Sequence, residues 1–323
     1  MSWITVEDFR DVYIKALQRG VDFIGSKVTL DQRERTKSAF NSTTIETGNW
    51  WIIPYVKRRW NEKITGSADV SYEQYLSDNY FQHEDKIKML SMGSGICSHE
   101  ILLAEINPHW SITCVDISDS LIDRARGIAQ DKGLHNIEFK AADIYEEEFK
   151  EGTYDLVFFH SALHHFDEID KFIERKVERT LRSGGKVVIN EYVGPNRMQY
   201  PSKQIAAINE ALKLIDKPYR QIFKTSLFKN RYYGSGKLRM QIADPSECVD
   251  SESILPVLRS RFKVVEEKPY GGSILMSVLK DISHHFTELN ERKRNILDSL
   301  FSYEDAYIER NSSDFMFAVY EKP

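Results

Sequence analysis

The stretch that most constrains this chain is Lys88-Met89-Leu90-Ser91-Met92-Gly93-Ser94-Gly95-Ile96-Cys97-Ser98, followed by His99-Glu100-Ile101-Leu102-Leu103. A short apolar run ends in two closely spaced glycines and then becomes a helical pattern. That predicts strand, Gly-rich turn and helix in succession. Glycine takes positive φ without a Cβ clash and lets a ligand approach the backbone. The free N–H groups at the start of the following helix suit a polar or anionic ligand.

The same alternation continues down the chain. Strands are predicted at 87–92, 111–115, 137–141, 154–159 and 186–190, with helices at 98–106, 121–129 (stopped by Gly133) and 169–181 between them. Strands alternating with helices favour a mostly parallel sheet covered on both faces. Before it, Val6, Phe9, Tyr13 and Leu17 repeat at helical spacing up to Gly20, and Trp50–Trp60 is a dense aromatic segment. Tyr72, Tyr75, Tyr80, Phe81 and His83 lead into the first strand. After the alternation, Ile205, Ile208, Leu212 and Ile215 predict a helix beyond Pro201, and Asp244-Pro245-Ser246 a turn. Ser251–Leu258 is expected to be helical and Phe262–Glu266 a strand; Leu275–Leu279 is either. Ile296–Tyr307 reads as a late helix, and Asp314–Tyr320 as a terminal strand paired antiparallel at the sheet edge.

This gives four segments: a helical cap or lid at 1–85, a ligand-binding core at 86–190, an inserted substrate cap at 191–260, and completion of the core at 261–323. With 323 residues the chain buries a substantial core, and its formal charge of -5 gives no reason to expect a nucleic-acid partner. Three cysteines make neither a disulfide framework nor a metal-site spacing, so a reducing cytoplasm is the expected compartment. The first residues carry acids where a secretory signal has bases, and no apolar run is long enough to span a membrane.

Two cofactor classes fit the turn. A dinucleotide fingerprint needs Gly-X-Gly-X-X-Gly, and its third position here is Ser98. Asp116 closes the second strand, 23 positions after Gly93, where a carboxylate receives ribose hydroxyls in either class. Asp143 adds an acid after the third strand, as an adenosine ligand requires. Taken together, Leu90–Gly95, Cys114–Ser118, Ala141–Ile144, Tyr154–Phe166 and Leu181–Ile189 resemble the ordered motifs of class I S-adenosylmethionine-dependent methyltransferases. The resemblance is strong over 86–190 and looser over 261–320.

The resemblance implies a Rossmann-like α/β fold with a seven-stranded, mostly parallel sheet, an N-terminal helical region and an inserted substrate cap. It implies S-adenosyl-L-methionine as cofactor, held by Gly93, Ser94, Gly95, Asp116, Ile117, Asp143, Ile144 and His160. Two departures stand out: Ser91 replaces the acid common in the first strand, and Cys97 stands where a third glycine is frequent. Transfer to a hydroxyl needs a proton acceptor, and histidine serves near neutral pH. His165 is the first candidate and His164 the second, with Glu191 orienting a histidine or taking the proton itself. Tyr192, Arg197, Gln199 and Tyr200 offer polar and aromatic surface to an oxygen-rich small molecule. The Glu191–Tyr200 stretch and Pro269–Gly272 are similar to a bacterial small-molecule subgroup associated with sugar or surface-polysaccharide biosynthesis. The expected reaction is O-methylation of a small molecule; N- or C-methylation, or a catalytically silent adenosine-binding module, are the alternatives. No catalytic metal is required. His284-His285 reads as a polar helix end, and monomer and homodimer are both open.

Overall fold

The structure, a computed structural model, describes residues 3–19, 49–82 and 86–323. Gly20 and His83 lie outside the described residues. The chain forms two compact units: one of 61–193, 248–269 and 316–323, which holds the sheet, and one of 1–60, 194–247 and 270–315, which is mainly helical. Set beside the four sequence segments, residues 61–82, 191–193 and 248–260 fall with the sheet unit, and 270–315 with the helical unit.

Seven strands form one sheet in the order β3-β2-β1-β4-β5-β7-β6. They are β1 (Lys88–Met92), β2 (Ser111–Asp116), β3 (Ile137–Ala141), β4 (Tyr154–His160), β5 (Leu181–Tyr192), β6 (Lys263–Gly271) and β7 (Phe315–Glu321). The first five are parallel, with Leu90 of β1 in register with Thr113 on one side and Val157 on the other. The chain therefore runs outward from β1 through β2 to β3, then returns to β4 beside β1. That reversal opens a crevice at the carboxyl ends of β1 and β4, where open α/β sheets bind ligands.

Helices α3 (Tyr72–Tyr80), α4 (Ser98–Ile106), α5 (Asp119–Asp131), α6 (Ile169–Phe172) and α9 (Ile254–Arg261) also belong to the sheet unit. Ser118 caps α5 by accepting the Leu121 N–H at 3.3 Å. Its other end closes on Gly133, at φ +68, with Leu134 N–H to Ala129 O and Gly133 N–H to Gln130 O, both 3.0 Å. Those two bonds satisfy the last carbonyls of the helix. Val157, Phe159, Val187 and Ile189 of the central strands pack with Ile169, Phe172, Ile254 and Leu258 into one fully buried cluster.

Three sequence expectations change. The helix expected over 169–181 is α6 plus a π-helical turn at Ile173–Glu178, and Leu181 already belongs to β5. Gly184, at φ +72, lies inside that strand: its N–H reaches Lys322 O at 3.0 Å, while Lys322 N–H reaches Gly185 O at 2.8 Å. The glycine pair thus bulges the strand instead of preceding it. The same bonds join the start of β5 to the end of β7, so the two run antiparallel. The terminal strand is accordingly interior, between β5 and β6, and β6 is the edge. Leu275–Leu279 is helical.

In the helical unit lie α1 (Val6–Arg19), α2 (Pro54–Thr65, up to Trp60), α7 (Ser202–Leu212), α8 (Lys237–Ala243), α10 (Leu275–Leu279) and α11 (Glu291–Ile308). Trp50 is its hydrophobic centre, 4.6 Å from the Trp60 ring and 5.5 Å from Phe315. Gly272, at φ +83, would place a Cβ 2.2 Å from the Phe315 ring, so no side chain fits there. Glu304 is buried and accepts the Ile274 and Leu275 N–H groups at 2.9 and 3.0 Å, anchoring α10. No helix among the described residues is long and apolar enough to cross a membrane.

Phe159→Ala empties the centre of the buried cluster and is expected to lower unfolding stability by about 3–5 kcal/mol. Urea denaturation followed by tryptophan fluorescence and circular dichroism measures it.

Candidate active site

The Gly-rich turn is built around a side chain that is absent. Gly93 takes φ +74 and donates its N–H to Val115 O at 2.8 Å, linking the ends of β1 and β2. A Cβ at Gly93 would stand 3.0 Å from Ala162 Cβ, in the segment after β4. Gly95, at φ +55, has open space where its Cβ would be, so its backbone is exposed to an incoming ligand. Ser94 and Ile96 are half-buried around it.

Asp116 fixes this turn. Its Oδ2 accepts the Gly95 N–H and its Oδ1 the Ser118 N–H, both at 2.8 Å. Burial pushes its carboxyl above the usual range, against the two N–H groups that favour the charge. A carboxylate has about four acceptor directions, so capacity remains for ribose hydroxyls. Ile117 is half-buried beside it. Ala142 N–H bonds to Asp116 O at 2.9 Å, which brings the ends of β2 and β3 together. Asp143 follows and accepts the Tyr145 N–H at 3.0 Å. Ile144 is buried in the core cluster, so its side chain packs under the site.

The two departures from the motif have structural answers. Cys97 adopts the left-handed conformation, φ +55, that a glycine takes easily; its side chain is fully buried, with Sγ 3.2 Å from Ser94 Oγ. Ser91 Oγ donates to Glu100 Oε1 at 2.6 Å, and Glu100 is buried in the first turn of α4. A carboxyl therefore does meet the end of the first strand, supplied from nine residues later. Burial raises its pKa above the usual carboxylic range.

At the end of β4, His160 joins a cluster that the sequence reading did not assemble. Its Nδ1 is 2.7 Å from the Tyr72 hydroxyl, and its ring stacks on His99 with centroids 3.5 Å apart. His99 Nδ1 lies 2.6 Å from Oε1 of buried Glu73. Burial, then the neighbouring His99 and His164, push His160 well below its ordinary pKa, so it stays uncharged near neutrality. Burial raises the Glu73 carboxyl, but the His99 contact outweighs it and leaves the group below its usual range. Glu100 could have been found from sequence, since an acid at the third helical position is a capping signal. Nothing local in the sequence links Tyr72 to His160, 88 positions apart.

His164 and His165 lie in a short turn, Leu163–His165, entered through Ser161 at φ +48. Glu191, with 0% exposure, holds that turn. Its Oε1 accepts the Ala162 and Leu163 N–H groups at 2.5 and 2.7 Å, and its Oε2 lies 2.7 Å from His164 Nδ1. Glu191 therefore contacts one histidine and two backbone amides, all within that turn. With Glu191 already accepting two N–H groups, Nδ1 is the natural donor, which leaves Nε2 of a neutral His164 with its lone pair. His165 is half-buried, its ring 4.3 Å from that of His164.

The expected substrate residues separate. Tyr192 is buried at the end of β5, its ring 6.2 Å from His164, and offers no open surface. Arg197, Gln199 and Tyr200 belong to the helical unit. There Arg197 donates to Glu247 O at 3.1 Å, Gln199 Nε2 to Ser235 O at 2.8 Å, and Tyr200 packs buried near Tyr232. His284 and His285 stack in a short turn, with His285 Nε2 2.9 Å from Gln221 O.

A sheet of this strand order, with a Gly-rich first turn and carboxylates after β2 and β3, defines the class I S-adenosylmethionine-dependent methyltransferase fold. The family described as "Methyltransferase domain" matches residues 83–244, and the chain belongs to it. Among curated proteins, an uncharacterized methyltransferase, YcgJ, of Bacillus subtilis (strain 168) is 27% identical over 81 residues, covering 25% of this chain and 32% of that one. Norajmaline N-methyltransferase of Rauvolfia serpentina is 30% identical over 114 residues, 33% of this chain and 37% of its own length. The chain thus spans about a third of the curated relatives it matches. Among solved structures, geranyl diphosphate C-methyltransferase from Streptomyces coelicolor A3(2) shares the fold at 12% identity. Its TM-score is 0.53, over 91% of this chain and 100% of that one.

Two outcomes follow. Gly93→Ala, strained in φ and pressed on Ala162, is expected to weaken S-adenosylmethionine binding ~10-fold or more by calorimetry. Because His160 is held neutral in the fold but titrates near 6.5 when unfolded, its contribution is present above that pH and is lost as pH falls below it. His160→Gln should therefore shrink the drop in melting temperature between about pH 7.5 and 5.5.

Proposed function

We propose that this chain transfers the methyl group of S-adenosylmethionine to a small-molecule hydroxyl, of the sugar or glycoconjugate class read from the sequence. The observation that carries the hydroxyl reading is the Glu191–His164 pair. A histidine whose Nδ1 is held by a buried carboxylate presents its other nitrogen as a base. A hydroxyl needs such a base, whereas a neutral amine is already nucleophilic.

The cofactor supplies an electrophilic methyl on a sulfonium. The chain's own residues do the rest. Gly93 and Gly95 admit it against bare backbone, and Asp116 receives ribose hydroxyls. Asp143 faces the base, with Ile144 packed beneath, and uncharged His160 avoids repelling a sulfonium. His164 Nε2 takes the acceptor's proton, and Glu191 steadies the imidazolium that results. We rank His164 above His165, reversing the sequence order, because buried Glu191 holds the His164 ring through Nδ1 at 2.7 Å. The compartment is a reducing cytoplasm, which suits three buried cysteines in no disulfide.

The test is transfer of labelled methyl from S-adenosylmethionine to panels of hydroxyl and amine metabolites, with the product located by fragmentation. His164→Ala is expected to lower kcat/KM on a hydroxyl acceptor by ~10²–10⁴-fold with cofactor affinity retained. Glu191→Gln, which keeps the shape of the side chain, should slow kcat while also lowering stability. Full turnover by His164→Ala, or methylation confined to amines, would overturn the hydroxyl reading. Calorimetric binding of NAD in place of S-adenosylmethionine would overturn the cofactor.

A further inference from the structure

Helix α1 is turned inside out. Its acidic side faces its own unit: Glu7, Asp8 and Asp11 are buried, together with Ile14. Its apolar stripe faces away, with Val6 59%, Phe9 70%, Tyr13 57% and Leu17 51% exposed, and Trp3 65% exposed just before it. A helix on a soluble unit ordinarily does the reverse.

The inward bonds explain the orientation. Asp8 Oδ2 accepts the Thr5 N–H at 2.7 Å and its Oδ1 the Gly236 N–H at 2.8 Å. Glu7 Oε2 accepts the Tyr233 N–H at 3.0 Å, and Asp11 Oδ2 pairs with Lys280 Nζ at 2.7 Å. Gly236 is bare for this purpose, since a Cβ there would lie 1.9 Å from Asp8 Oδ2. Turning the stripe inward would break all of these and bury apolar groups against polar ones. The outward stripe is thus imposed by the fold. Tyr233, Leu238 and Ile242, each 40–41% exposed, extend it; Leu238 N–H bonds to Trp3 O.

We propose that this face is the interface with a second copy of the chain, related by a two-fold axis. Eight large apolar side chains, five of them more than half exposed, make up this face, a larger cluster than a monomer usually leaves open and suited to the roughly 800 Å² each partner gives to a standard interface. The side chains of Val6, Phe9, Tyr13 and Leu17 are themselves uncharged, with Lys237 and Arg231 over the Trp3 and Tyr233 rings beside them, so the stripe can pair with itself, as a two-fold contact requires. Antiparallel pairing about its midpoint sets Phe9 of one copy against Tyr13 of the other, and Val6 against Leu17. A membrane surface fits less well, because surface-bound helices carry basic polar faces and this one is acidic and already bonded.

Sedimentation velocity of the full chain, from low to high micromolar, tests this. The wild type is expected to be a dimer. Phe9→Lys and Tyr13→Glu are each expected to sediment as monomers with S-adenosylmethionine affinity and circular dichroism unchanged. Combining them in one chain should restore the dimer, since opposite charges would then meet across the axis. A monomeric wild type, or a dimer indifferent to both single changes, overturns the proposal. So does a monomer that instead binds anionic vesicles. Should either variant misfold, hydroxyl-radical footprinting of the wild type decides. Phe9 and Tyr13 must become protected as concentration rises, and constant labelling overturns the proposal.

Discussion

The missing side chain at Gly93 is the constraint on which the sheet unit's site rests. Ala162 and the Phe166 ring, beyond β4, close on that atom's place, while Gly93 N–H bonds to Val115 O at the end of β2. Any larger residue would force β1 and the β4 segment apart, and with them the turn that carries Gly95. The bond from Gly95 N–H to Asp116 then sets the depth of that turn. The crevice at the strand reversal is therefore shaped by van der Waals exclusion first and by hydrogen bonding second.

Much of the sheet was legible because parallel strands buried on both faces are continuous apolar runs, and the helices between them keep a 3.6 period. β2, β3 and β4 fall within a residue of their expected ends for that reason. The misses share another cause. Gly184-Gly185 looks like a turn in one dimension, but whether a glycine pair ends a strand or bulges it depends on the neighbouring strand, here β7, more than a hundred residues away. The position of β7 inside the sheet is likewise a matter of long-range pairing. In α1 the period was legible and the inward face was not. Periodicity shows that a helix has two faces; which one turns inward was decided by N–H donors from 233 and 236 and an amine at 280.

The candidate site was legible at its strand ends and less so in the side chains that support them. Gly93, Gly95, Asp116 and Asp143 are read from strand ends, and strand ends are local. The Tyr72–His160–His99–Glu73 cluster joins α3, α4 and β4, and no local spacing announces it. Ser91 seemed to leave the first strand without its acid, yet Glu100 brings a carboxyl to the same hydroxyl. A carboxyl can thus be absent from a motif position in sequence and still lie beside it in space.

Residue type also misleads where a charge is buried. Glu191 sits next to a candidate base in a strand-end segment, which suggests chemistry. Full burial changes what a carboxylate can do. Leaving its oxygens unpaired in a low-dielectric interior would carry a large desolvation penalty, so they collect N–H donors. Glu191 collects Ala162, Leu163 and His164; Glu304 collects Ile274 and Leu275; Asp116 collects Gly95 and Ser118. Each is an anchor for backbone before it is anything else. What separates Glu191 is that one of its donors is itself titratable. A carboxylate that fixes two amides and one imidazole makes the turn rigid and sets the imidazole's proton on Nδ1 in the same act. The rigidity of the turn and the orientation of the His164 ring then have one source, so a change at residue 191 cannot release the ring without also loosening the turn.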